Sequence, residues 1–188
     1  MLKISKKLFE SEKKEKSIFD IVLYGSAVKG GEEVRDVDIL IIFLEGTLKE
    51  RLDILQKIKI DLEKELKDMN LDLKQILMKE LFSPYFLARA GIFLEGVSLL
   101  NGRKFCETLG FRSHALFFYS LKGLTHSKKV QFNYLLAGRT VKGILKELNG
   151  ERIISGAVKI PMENSGTFEE ILKKNGVSYA RKNVLEQN

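Results

Sequence analysis

Two apolar runs constrain this chain more than anything else in it. Ile18-Phe19-Asp20-Ile21-Val22-Leu23-Tyr24 and Val37-Asp38-Ile39-Leu40-Ile41-Ile42-Phe43 are β-branched or aromatic almost throughout. A short continuous apolar run bounded by turn residues predicts a buried strand. The first run stops at Gly25-Ser26, and the second is bounded by Gly46. Ahead of them, Leu2 to about Lys16 reads as a charged, weakly amphipathic helix. Behind them, Leu48, Leu52, Leu55, Ile58, Leu62 and Leu66 recur at spacings of three and four. That is one face of a long helix ending near Asp68-Met69-Asn70. Leu71 to Met78 follows as a third strand, alternating at its start. Pro84 is expected to open a helix reaching about Leu94, and Val97 to Leu100 makes a short further strand.

Asn101-Gly102 is a turn signal at which the charge balance changes, which places a domain boundary near residue 104. Residues 1–100 carry 17 Lys+Arg against 18 Asp+Glu; residues 101–188 carry 15 against 7. The expected second domain, 105–188, is therefore small and basic, a composition suited to a polyanion. Its order reads helical and then β-α-β. Helices are predicted over Ala115 to Leu124, Lys128 to Leu136 and Lys142 to Leu148, the last closed by Asn149-Gly150. Ile153 to Ile160 is a strand pair or a bent strand broken at Gly156. Thr167-Phe168-Glu169-Glu170 has capping-box spacing, Gly176 supplies a stop, and Val177 to Leu185 is a last strand. No stretch of ~18 apolar residues predicts a membrane span. The N-terminus lacks the apolar core of a secretory signal. The single cysteine, Cys106, offers neither an internal disulfide nor a thiolate pair for zinc. A cytoplasmic protein without a membrane partner is the expectation.

Three features of the first half belong to one chemistry. Gly25-Ser26 directly after a strand allows close backbone approach to a phosphate and adds a hydroxyl donor. Asp36 and Asp38 flank Val37 at the mouth of the second strand, so both carboxylates project from one side. Adjacent carboxylates with oxygen-only donors suit Mg²⁺ or Mn²⁺ better than zinc. Asp72 lies between Leu71 and Leu73, and so points away from the face those leucines bury. Three carboxylates from two strands beside a Gly-Ser loop fit two-metal phosphoryl transfer.

Tyr24-Gly25-Ser26, nine intervening residues, then Asp36-Val37-Asp38-Ile39 resembles the signature of the DNA polymerase β-type nucleotidyltransferase superfamily. Residues 5–104 are similar in size to its minimal archaeal and bacterial members, and the likeness extends to Glu95-Gly96-Val97. The resemblance implies an α+β fold, a mixed sheet flanked by helices, followed here by the smaller basic α/β domain. It implies transfer of a nucleoside monophosphate from an NTP, ATP first among them, to a hydroxyl acceptor. Gly25 and Ser26 match the triphosphate-holding positions. Asp36 and Asp38 match the metal pair, and Asp72 the third carboxylate, which binds metal and helps deprotonate the acceptor. Two positions depart from the pattern. Ala27-Val28 stand where many small members carry Arg, leaving Lys29 as the nearest cation for the nucleotide, and Arg35 precedes the first Asp where Ser or Thr is common.

In the basic half, Lys122, Lys128, Lys129 and Arg139 are interleaved with Phe117, Phe118, Tyr119, Phe132 and Tyr134. Cations meet phosphate and rings stack on bases, so RNA or another polyanion is the expected partner, with most of these rings expected in the core. His114 and His126 lack metal-ligand spacing. The competing functions are an antitoxin-type enzyme modifying a protein hydroxyl, and a nucleic-acid-binding protein that keeps the fold without turnover.

Overall fold

The first apolar run forms β1 (Ile18–Tyr24) and the second forms β2 (Asp36–Phe43), paired antiparallel at the middle of a sheet. The computed structural model describes Phe9 and residues 17–29, 36–66, 69–139 and 142–187. The helix expected over Leu2 to Lys16 lies outside these residues, apart from Phe9, which is buried. After β1 comes a single turn of helix, α1 (Ser26–Lys29); after β2 comes the long α2 (Leu48–Glu65). Thr47 and Glu50 cap α2 reciprocally, satisfying two of the backbone N–H groups its first turn leaves open. Strand β3 (Asn70–Leu77) returns parallel to β2, and β4 (Val97–Ser98) pairs antiparallel with β1. The sheet is mixed, in the order β3-β2-β1-β4.

Helices on both faces explain why the two runs are apolar without a break. Ile21, Leu23, Val37, Ile39, Ile41 and Phe43 pack with Ile58 and Leu62 of α2. The alternate residues Val22, Tyr24, Leu40 and Ile42 pack with Leu81, Ile92 and Phe105 from three short helices, α3 (Met78–Leu81), α4 (Arg89–Glu95) and α5 (Phe105–Thr108). The helix expected from Pro84 starts only at Arg89. Residues 84–88 make turns instead, because the Ser83 carbonyl accepts from the Phe86 N–H and from the Arg89 guanidinium.

The chain divides between Gly110 and Phe111, later than the expected boundary near 104. The reason is α5. Phe105 lies within 6.3 Å of the Phe19 ring and 5.9 Å of Phe93, so this helix belongs to the core of the first unit.

In the second unit β5 (Phe111–Ser120) leads to α6 (His126–Ala137) and α7 (Ile144–Glu147), then to the hairpin β6 (Glu151–Ile154) and β7 (Ala157–Pro161). A 3₁₀ turn, Met162–Asn164, runs into α8 (Ser165–Lys174), and β8 (Ser178–Gln187) closes the unit. The sheet order is β6-β7-β5-β8, every pair antiparallel. This is the split β-α-β arrangement of ferredoxin-like folds. Ala115, Phe117, Val158 and Ile160 pack on one face against Phe132, Leu136, Leu145, Phe168 and Leu172.

Three expectations are corrected here. Ala115 to Ser120 is strand, not helix, and residues 121–124 are a turn. The second unit is α+β rather than α/β, since its strands are all antiparallel. The capping box at Thr167 does not form: Asn164 is the N-cap, and the Ser165 hydroxyl donates to the Met162 carbonyl as the 3₁₀ turn becomes α8. Gly156 (φ 84°) makes the hairpin turn, and Gly176 (φ 64°) stops α8.

Candidate active site

The polar side chains of the first sheet gather where β1 ends and β2 and β3 begin. On the face that also carries Leu40 and Ile42, the register places Asp36 opposite Asn70, then Tyr24, Asp38 and Asp72 in one row across three strands. Val37 is fully buried on the other face, so strand alternation delivers both β2 carboxylates to the same side. The structure thus brings Asp36, Asp38 and Asp72 onto one face at one end of the sheet.

Each carboxylate has a distinct neighbour. Asn70 donates from Nδ2 to Asp36 Oδ1 at 3.0 Å. Lys74 donates from Nζ to Asp72 Oδ2 at 2.5 Å. Asp38 has charge around it instead: burial pushes its carboxyl above the ordinary value, and the negative charges of Asp72 and Asp36 push the same way against Lys74. Burial likewise raises the Tyr24 phenol, with Lys74 opposing. The bond to Asp72 raises the Lys74 ammonium.

Gly25 closes the site from the β1 side. Its φ is +75°, and a Cβ built on it would stand 2.3 Å from Asp38 Oδ2. Only glycine turns the chain here without striking the carboxylate. Ser26 follows, exposed, at the start of α1. The side chain of Lys29 and the whole of Arg35 lie outside the described residues.

Among the described residues, no three His, Cys, Asp or Glu side chains close to the spacing of a metal-ligand set. Within the expected trio, Asp72 is bonded to Lys74 and Asp36 to Asn70. The chemistry of the donors still fits a hard divalent cation. They are all carboxylate oxygens, and Asp38 carries repulsion from two neighbouring charges that a bound cation would relieve.

Sequence reasoning missed Lys74 and Asn70. The signal for Lys74 was the two-residue offset from Asp72, which puts both on one face of β3; Asn70 required the β2–β3 register.

The basic candidates of the second unit lie in α6 and at its two ends. Lys122 is exposed in the turn before α6, Lys128 and Lys129 stand in its first turn, and Arg139 follows its end, 5.0 Å over the Tyr134 ring. Phe117 and Phe132 are core, whereas Phe118 and Tyr134 are exposed. His126 is exposed on α6, while His114, half-buried, lies 3.4 Å from Glu186, a carboxylate its own sequence neighbourhood lacks. Burial, with Lys159 second, holds the His114 imidazole below its ordinary value. Cys106 is buried.

Comparison with known proteins matches residues 4–90 to the nucleotidyltransferase domain family, in agreement with the polymerase β-type superfamily. Gly25, Ser26, Asp36, Asp38 and Asp72 all fall inside the matched segment. No curated protein matches the chain. Among the described residues, no helix is long and apolar enough to cross a membrane.

Proposed function

We propose, from the match of residues 4–90 to the nucleotidyltransferase domain family, that the chain transfers a nucleoside monophosphate from an NTP, ATP foremost, to a hydroxyl acceptor, with RNA as the acceptor. The observation that carries this reading is the row of Asp38 and Asp72 beside Gly25, with Asp36 on the same face.

Asp36 and Asp38 would hold Mg²⁺ or Mn²⁺, and Asp72 would join them when a second ion is bound. Bound there, such ions polarise the phosphoryl oxygens and stabilise the departing pyrophosphate. Gly25 keeps the backbone close to the carboxylates, and the Ser26 hydroxyl is available to donate to the triphosphate. The acceptor oxygen bonds to the α-phosphorus as the bond from that phosphorus to pyrophosphate breaks. Its proton passes to Asp72. Lys74 engages only Oδ2 of that carboxylate, which leaves Oδ1 to take it. Lys74 is therefore a positioning residue.

One observation favours the reading without turnover: Asp72 is ion-paired with Lys74. The test is incubation of the full chain with α-labelled NTPs and cellular RNA or protein, in Mg²⁺ and in EDTA. Mg²⁺-dependent label in RNA is expected. Label in protein alone would make the acceptor a protein hydroxyl, and no label in either fraction would leave a binding protein.

A further inference from the structure

The second sheet has one face against its helices and one that lies largely open. Along β5, Ala115, Phe117 and Tyr119 face the helical core, so Leu116 and Phe118 point the other way. Yet they too are apolar. Phe118 is 43% exposed near the end of β5, an inner strand of the sheet.

The register gives this ring its surroundings. Phe118 lies between Ala157 on β7 and Ala180 on β8, small neighbours beside which the ring stays exposed. One row along, Leu116 lies between Lys159 and Lys182. Beside the ring, a shallow pocket of about 490 Å³ is lined by Ile154 and the hydroxyl-bearing Ser120, Ser155 and Ser178. Lys159 is engaged by Glu186 at 2.9 Å and Glu151 at 3.2 Å, whereas Lys182 is exposed on the edge strand β8. Same-face positions along a strand are ~7 Å apart, about the reach of one nucleotide from base to phosphate. Residues 111–188 carry 13 Lys+Arg against 6 Asp+Glu. Of the other exposed rings of the unit, Tyr134 is covered by Arg139, and Phe111 begins β5 at the odd-numbered positions that face the helices.

We propose that this open face binds single-stranded RNA, one base stacking on Phe118 while Lys182 meets the adjoining phosphate. An uncovered ring ringed by serines and a cation suits a base, whose flat face stacks and whose edges take hydrogen bonds. An apolar peptide side chain would use the ring but not the hydroxyls. The proposal goes beyond the transfer reading and requires neither NTP nor metal, so each can fail without the other.

The chain contains no tryptophan, so Phe118→Trp places a single indole at the proposed contact. The experiment titrates labelled twelve-nucleotide oligouridine into the full chain, in EDTA and at low salt, reading anisotropy and indole emission. The proposal expects binding, quenching of the indole, retained affinity in Phe118→Tyr, and a loss of roughly 5- to 100-fold in Phe118→Ala. Lys182→Ala should flatten the dependence of log K on log salt by about 0.7. Binding with unchanged indole emission would overturn it. So would a Phe118→Ala variant of wild-type affinity beside a Lys128→Ala/Lys129→Ala variant that no longer binds, which would move the site to α6. Quenching by oligoglutamate but not by oligouridine would assign the face to an acidic peptide, and no binding at low salt would leave it without a nucleic-acid role.

Discussion

The two sheets of this protein solve the placement of polar side chains in opposite ways. The first is covered by helices on both faces, and seven consecutive β2 residues from Val37 to Phe43 include six that are fully buried. Polar groups have room only where its strands leave the core, and that is where Asp36, Asp38 and Asp72 stand. The second sheet is covered on one face, so polar and apolar groups alike spread across the other: Phe118, Lys159, Lys182, Glu186. A doubly covered sheet concentrates its chemistry at one end and builds it from few residues. A singly covered sheet offers a surface, which suits an extended ligand.

The largest effect that would sharpen this contrast concerns turnover. Asp72→Asn is expected to lower kcat by a factor on the order of 10² or more while leaving NTP affinity nearly unchanged, as for loss of a general base. Normal turnover in single-turnover kinetics would reduce Asp72 to a strand residue and dissolve the site at the sheet end.

A second expectation tests an exception to that rule, the buried polar pair of Asp20 on β1 and Ser98 on β4. Asp20 is buried in the middle of the first sheet, where its Oδ1 accepts from the Ile21 N–H and from the Ser98 hydroxyl while Oδ2 has no partner. Burial pushes its carboxyl up to about 6, against those two hydrogen bonds. The folded chain then takes up a proton near pH 6 that the unfolded chain takes up only near 4. Stability should therefore rise as pH falls through that window, and be lost again as pH climbs through 6. Asp20→Asn keeps an acceptor without the charge and should stabilise the protein at pH 7 by about 2 kcal/mol. Urea denaturation at pH 7 and pH 5 checks this; equal stability of variant and wild type at both would contradict it.

The last comparison is between two glycines of positive φ. Gly25→Ala should cost about 1–3 kcal/mol and also impair NTP binding, because the added methyl meets Asp38. Gly110 has φ +81° with open space around it, so Gly110→Ala should cost stability by strain alone. Equal NTP affinity in the two variants, by calorimetry, would show that Gly25 serves the turn and not the site.

The same contrast decides what the sequence makes legible. In β1 and β2 both faces are buried, so an unbroken apolar run reads correctly as strand. The carboxylates stand out against it because nothing else polar interrupts β2. What did not read was the pairing: Asn70 on Asp36 depends on a parallel register between strands joined through α2, and Lys74 on Asp72 on two residues sharing one face of β3. In β5 an equally unbroken run, Ala115 to Tyr119, misled the period. Leu116 and Phe118 are apolar on an open face, which erases the alternation a half-covered strand normally has, and Leu121 and Leu124 then supply a helical spacing from what is a turn. The residue that defeats the pattern is the one placed at the proposed RNA contact.

The central claim is that the end of the first sheet holds a divalent cation for nucleotide chemistry. Its most direct test is calorimetric titration of ATP into the wild-type chain and into Asp36→Asn/Asp38→Asn, with Mg²⁺ and with EDTA, beside thermal melts of both. The account predicts Mg²⁺-dependent binding to the wild type, none to the variant, and a melting temperature in the variant that is unchanged or slightly raised as like-charge repulsion is removed. Equal Mg·ATP affinity in both proteins would contradict it.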